Sequence, residues 1–252
     1  MKTNNLIKYL VLINVFIFIT FFLIQLKTKN LVETFEKDTT IIKDTTNVQI
    51  FVPQYNFWLK DKFTITESLF RLDCIVTKDG KCRVINQLYS KFILWNINTG
   101  KFNPVQMFTY MFLHGNLTHI FFNMISLITL GTILLKVVDN KKFLTVYLLG
   151  GMVAGIVHMF MTLNMDLPTV GASGAVWALI GMFFLTHTEE RMSFLFIPIN
   201  MKVKHLVAIL FVIEVVLAIN SISTTDGLAH WAHIGGCIFG YLYYKLNNKT
   251  QS

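Results

Sequence analysis

Three short stretches of this 252-residue chain carry residue types that do chemistry: "GASGAVWALIG" at 171–181, "AHWAHIGG" at 229–236 and "HGNLTHIFFNM" at 114–124. Ser173 offers a hydroxyl, which becomes a nucleophile only beside a base, and histidine is the usual one. His233, Gly236 and Gly240 are spaced three and four apart, so on a helix they share one face, and two glycines there allow another helix to approach closely. Ser173, Trp177 and Gly181 form a matching face, and packing the two faces brings His233 beside Ser173. His119 and Asn123, four apart, stack on one helix face as two side-chain donors. With the backbone N–H of Ser173 they are suited to hold the oxyanion of a tetrahedral intermediate, and the chemistry implied is acyl transfer.

The elements that must position these groups are apolar helices. Hydrophobic residues make up 54% of the chain and charged residues 14%, which points to an all-α polytopic membrane protein. Apolar runs at 9–26, 117–135, 143–163, 173–185, 203–219 and 228–244 predict six spans. The first is followed by Lys27 and Lys29 with no small-residue cleavage site, so it is expected to stay as an anchor. The net charge of +8 comes with no aromatic-interleaved basic patch, and no nucleic-acid partner is expected. The lysines and arginines report orientation instead. Lys2, Lys8, Lys136, Lys141, Lys142, Arg191, Lys202, Lys204, Lys245 and Lys249 all fall on one side if both termini are cytoplasmic, as the positive-inside rule requires.

This divides the chain into a cytoplasmic N-terminus and first helix (1–26), an extracytoplasmic first loop (27–103), a core of helices two to six (104–246) and a short cytoplasmic tail (247–252). The loop is long enough to cross the membrane largely regardless of its charge. Strand-like alternation in "NVQIFVPQYNFWL" and "CIVTKDGKCRVI", with an Asp79-Gly80 turn signal, predicts a small β-containing insertion at about residues 40 to 88. Cys74 and Cys82 lie in it, on the side where disulfides persist, and a Cys74–Cys82 bridge is one expectation and two unlinked thiols the other. No metal-ligand spacing or phosphate loop occurs, so no metal and no cofactor are assigned.

Depth separates Ser173 from an ordinary helix serine. A helix from Gly174 to about Thr188 is ~22 Å long, against a hydrocarbon core of ~30 Å. With its inner end held near the interface by Glu189, Glu190 and Arg191, the outer end falls ~8 Å short and Ser173 sits below the outer surface. The non-helical "LPTVGA" before it must then be buried in protein or line a wet cavity. Taken singly, each group has a plainer role. His158, His205 and His230 are read as satisfied bundle residues, Gly236 and Gly240 as packing, and Glu214 in the fifth span as hydrogen-bonded to a neighbouring helix.

In combination and order, the Gly-x-Ser-Gly of "GASGAVWALIG", the Ala-His-x-x-Gly of "AHWAHIGG" and the His-x-x-x-Asn of "QMFTYMFLHGNLTHIFFNM" resemble the rhomboid family of intramembrane serine proteases over residues 92–244. The resemblance implies a six-helix bundle in which Ser173 is the nucleophile and His233 the base and then the acid. It assigns His119 and Asn123 to the oxyanion site and places Trp177 against the catalytic histidine, with Gly171 and Gly174 shaping the serine's turn. It implies a two-residue dyad with no acidic third member, and no acidic residue is read as lying near either motif. Its substrates would be single-pass or multi-pass membrane proteins in the lipid bilayer, cut where their helices unwind near small residues. The expected location is a cell membrane, with a bacterial inner membrane favoured by composition. The chain departs from the family in carrying Lys136 and a displaced Asp139 after the second span's glycine, and in its longer first loop.

Two other classes make different predictions. A rhomboid-like escort that binds membrane proteins without cutting would not need both Ser173 and His233, and both are present. A transporter would spread polar groups across the membrane, whereas here they gather toward the outer half and Glu214 is the single acidic residue within a span.

Overall fold

The computed structural model describes residues 4–38, 72–76, 82–163, 168–193, 200–221 and 230–248. Among them, the long helices are α1 (Asn5–Asp38), α2 (Leu117–Leu134), α3 (Asn140–Met161), α4 (Ser173–Thr186), α5 (Val203–Ser221) and α6 (His230–Asn248). Among the described residues, four stretches are long and apolar enough to cross a membrane: Asn5–Leu26 of α1, all of α2, all of α3, and Val203–Asn220 of α5. The remaining two expected spans differ for physical reasons. α4 is apolar but has only 14 residues, because it begins at Ser173. α6 begins with His230 and His233 and ends with Lys245, Asn247 and Asn248, which dilute its apolar middle.

The chain forms two compact units, one from the residues up to Phe18 and from Phe92 onward, the other from Ile19–Lys91. In the second, β1 (Leu72–Val76) and β2 (Cys82–Asn86) pair antiparallel, with Leu72 opposite Asn86 and Val76 opposite Cys82. Residues 40–71 and 77–81 of the expected insertion lie outside the described residues, as do the side chains of Cys74 and Cys82 on which a bridge depends.

In the first unit α4 is the buried element, packed chiefly against α6 and α3 and also touching α2 and α5. Ala175, Ala178, Leu179 and Met182 are fully buried, as a helix apolar on all sides should be. The outward faces are apolar too: Leu12 and Phe16 on α1, Phe121 on α2, and Val212 and Val216 on α5 are exposed. A water-soluble surface does not carry such continuous apolar faces, whereas hydrocarbon solvates them. This is a multi-pass membrane protein.

Irregular segments in this unit are hydrogen-bonded rather than bare. Residues 92–103, read in sequence as the end of the first loop, pack within the same unit as the helices, with Ile93, Leu94 and Trp95 buried. The Asn96 side-chain amide donates to the Met159 and Thr162 carbonyls at 3.0 and 2.8 Å, satisfying the C-terminal end of α3. At the other end of α3, Asp139 is the N-cap and its Oδ1 accepts the Lys142 N–H at 2.7 Å, which gives this displaced acid a local task. Just past α4, Glu189 accepts hydrogen bonds from Lys202 and Lys204, beside the hairpin of β3 (Arg191–Ser193) and β4 (Asn200–Lys202). Those two ammonium groups hold its exposed carboxyl at about 2, well below the usual range.

Candidate active site

The backbone ahead of α4 places the serine. Gly171 has φ 123°, a conformation that side chains disfavour, and a Cβ there would lie 2.6 Å from His119 Nε2. Its N–H donates to the Tyr110 carbonyl at 2.9 Å, while Thr169 and Leu94 exchange backbone bonds of 2.9 and 3.0 Å. Thr169 and Ala172 are buried. Thr169 and Gly171 on the non-helical approach to Ser173 thus have backbone partners within the protein, as such backbone needs at membrane depth. Ser173 is the first residue of α4, so its own N–H is one of the helix's unpaired N-terminal donors.

Backbone contact between α4 and α6 sets the partner. A Cβ on Gly236 would lie 2.2 Å from the Gly174 carbonyl oxygen, one on Gly240 1.8 Å from that of Ala178, and one on Gly181 2.0 Å from that of Cys237. Only glycine permits this approach. It puts His233 Nε2 2.8 Å from Ser173 Oγ, and the Trp177 ring stacks on the His233 imidazole at 5.5 Å between centroids with an 18° tilt. On α2, His119 lies against Gly171, and the buried Asn123 amide donates one N–H to the His119 carbonyl at 3.0 Å. His114, which the sequence reading passed over, is buried and meets the His119 ring edge-on at 5.1 Å. Its signal was its place five residues before His119 in "HGNLTH".

The family described as the Rhomboid domain matches residues 101–248, more than half of the chain and all of the helices that carry these groups. The chain belongs to the rhomboid family. This rhomboid is similar to the mitochondrial presenilin-associated rhomboid-like protein of Rattus norvegicus, 25% identical over 55% of this chain and 37% of that protein. It is also similar to rhomboid protease GluP of Bacillus subtilis (strain 168), 27% identical over 54% of this chain and 24% of that protein. RHOMBOID-like protein 4 of Arabidopsis thaliana is 28% identical over 52% of this chain and 30% of its own length. The matched stretch thus spans well under half of each relative.

One expectation about this rhomboid is overturned. No acid was expected near the motifs; the hydrogen bond expected from Glu214 to a neighbouring helix is present, with His230 of α6 as its partner. In the structure Glu214 Oε2 lies 3.0 Å from His233 Nδ1 and 2.7 Å from His230 Nδ1. The carboxylate comes from α5 and the two imidazoles from α6, one turn apart, so no local spacing announces the cluster. His230, read as a satisfied bundle residue, is buried and has its Nδ1 paired with that carboxylate. Among the described residues, the ligand atoms of Glu214, His230 and His233 all lie within 4.8 Å of one another, a grouping drawn from two helices that no spacing in the sequence announces.

Proposed function

We propose that this rhomboid is an intramembrane serine endopeptidase that cuts membrane-protein substrates in or near their transmembrane segments. The observation that carries the reading is the 2.8 Å approach of Ser173 Oγ to His233 Nε2 at the N-terminal end of α4. The relatives named as rhomboid protease or rhomboid-like support it. In this mechanism Nε2 takes the hydroxyl proton as Oγ attacks the scissile carbonyl carbon. The oxyanion is held by the Ser173 N–H, His119 and the second N–H of Asn123. The imidazolium then gives its proton to the leaving amine, and an ester to Ser173 remains. Water, deprotonated by His233, attacks that ester and regenerates the serine. A carbonyl locked in a regular helix cannot enter such a site, so the substrate must unwind locally.

The finer topology belongs to the same proposal: six crossings with α4 and α6 included, both termini cytoplasmic, and the β1–β2 unit outside. The membrane would be a cell membrane, a bacterial inner membrane on composition.

Fluorophosphonate labelling of the purified full chain tests the reading. Wild type is expected to label covalently at Ser173 and the Ser173→Ala variant not at all. A folded wild-type protein that does not label leaves the non-catalytic escort reading in its place. Asn123→Ala is expected to lower kcat by about 10 to 100-fold at nearly unchanged KM. One oxyanion donor is worth ~3 kcal/mol in a soluble protease, and here two others remain. An equal rise in KM with constant kcat would move Asn123 from the oxyanion site to ground-state binding.

A further inference from the structure

Resting on the protease reading above, we infer that Glu214 is a positioning residue for His233, adding a carboxylate from α5 to the reacting serine and histidine. A carboxylate inside a membrane-spanning helix is costly and persists where it has partners or a task. Glu214 is 14% exposed, and one of its oxygens, Oε2, is met by both His230 and His233. An ionised carboxylate only accepts, so each facing Nδ1 carries its proton. The nearby carboxylate favours the tautomer of His233 with its proton on Nδ1, in which Nε2 keeps a lone pair toward Ser173. His230, whose side chain is 3% exposed, holds the carboxylate through the 2.7 Å bond from its Nδ1–H.

The His233 contact is a close approach of Nδ1 to Oε2 at 3.0 Å that is not aligned as a hydrogen bond. Catalytic hydrogen bonds are commonly loose without substrate and tighten as charge develops. When the Ser173 proton reaches Nε2, the ring becomes a cation and Glu214 is the anion nearest to it. Trp177 bounds the ring on one face, so the imidazole is held both by stacking and by charge.

The same three groups are of metal-binding type, but their spacing fits direct contact. Two ligand atoms on one tetrahedral zinc at ~2.0 to 2.1 Å would stand ~3.3 Å apart. Here the oxygen-to-nitrogen distances are 2.7 and 3.0 Å.

The test compares wild type, Glu214→Gln and Glu214→Asp as full-length protein, reading melting temperature, fluorophosphonate labelling rate and cleavage of a reporter transmembrane substrate. Glu214→Gln is expected to lower kcat and labelling rate about a hundredfold or more at nearly constant KM, as loss of the carboxylate does in the soluble triad. Glu214→Asp keeps a carboxylate on α5 and is expected to recover part of the lost kcat at the same KM.

Wild-type kcat and labelling in Glu214→Gln would overturn the proposal. If that variant melts far below wild type, Glu214→Asp decides: kcat loss at wild-type melting temperature supports positioning, and activity that only follows stability overturns it. Activity lost to a chelator and restored by zinc would also overturn it, in favour of a metal on these groups. A wild-type chain that neither labels nor cleaves would instead sink the protease reading on which this one rests.

Discussion

Ser173→Ala and His233→Ala are each expected to reduce cleavage of a transmembrane reporter to background, and the double variant to be no worse than either. The two groups are 2.8 Å apart and act in one proton transfer, so removing the second after the first removes nothing further. In a soluble serine protease the loss from either such group is about a millionfold in kcat, nearly as much as from the whole constellation. The measurement is substrate turnover in proteoliposomes, with folding checked by melting temperature. Substantial turnover by either single variant would refute the pair as the catalytic unit. Both substitutions should be well tolerated structurally, since neither Ser173 nor His233 is among the fully buried residues of the core.

The largest effects on stability are expected from Gly236→Val and Gly240→Val. A Cβ at Gly236 would stand 2.2 Å from the Gly174 carbonyl oxygen and 3.3 Å from the Ala178 nitrogen, and one at Gly240 1.8 Å from the Ala178 oxygen. These are backbone atoms of a helix and cannot swing aside as a side chain would, so α4 and α6 must separate. The cost should be on the order of 3 kcal/mol or more, the upper end for overpacking. The two positions should also differ in activity. Gly236 lies against the residue that follows Ser173, so its valine variant should lose labelling even at temperatures where it is folded. Gly240 is one turn away, and its variant should lose stability first. Either variant melting and turning over like wild type would show that these glycines do not hold the helix contact.

How much of this was legible in the sequence depends on how far apart in the chain the cooperating residues lie. Where a relation repeats along one helix, the 3.6-residue period exposes it. His233, Gly236 and Gly240 could be assigned to one face before any coordinates, as could Ser173, Trp177 and Gly181. The shortness of α4 could be read in the same way, because the charged Glu189, Glu190 and Arg191 and the helix-opening serine delimit the apolar run at both ends. Residues 92–103 were harder: an irregular segment has no period, and only the Asn96 bonds to the end of α3 and the burial of Ile93, Leu94 and Trp95 reveal it as part of the helical unit.

Determined by the sequence alone, then, were the membrane class, the rhomboid family and the groups whose spacing is local to one helix. Glu214 shows what it could not determine. It lies 16 residues before His230 and 19 before His233, on a different helix, and nothing in the apolar run around it says which way it faces. Only the packing of α5 against α6 turns that carboxylate toward the two imidazoles. The same holds for His119, whose place over Gly171 is set by the positive φ of that glycine and by the backbone bonds of Gly171 to Tyr110 and of Thr169 with Leu94. Periodicity fixes the neighbours along a helix, but the rotation of one helix about its axis relative to another is decided by the close packing of all the side chains between them.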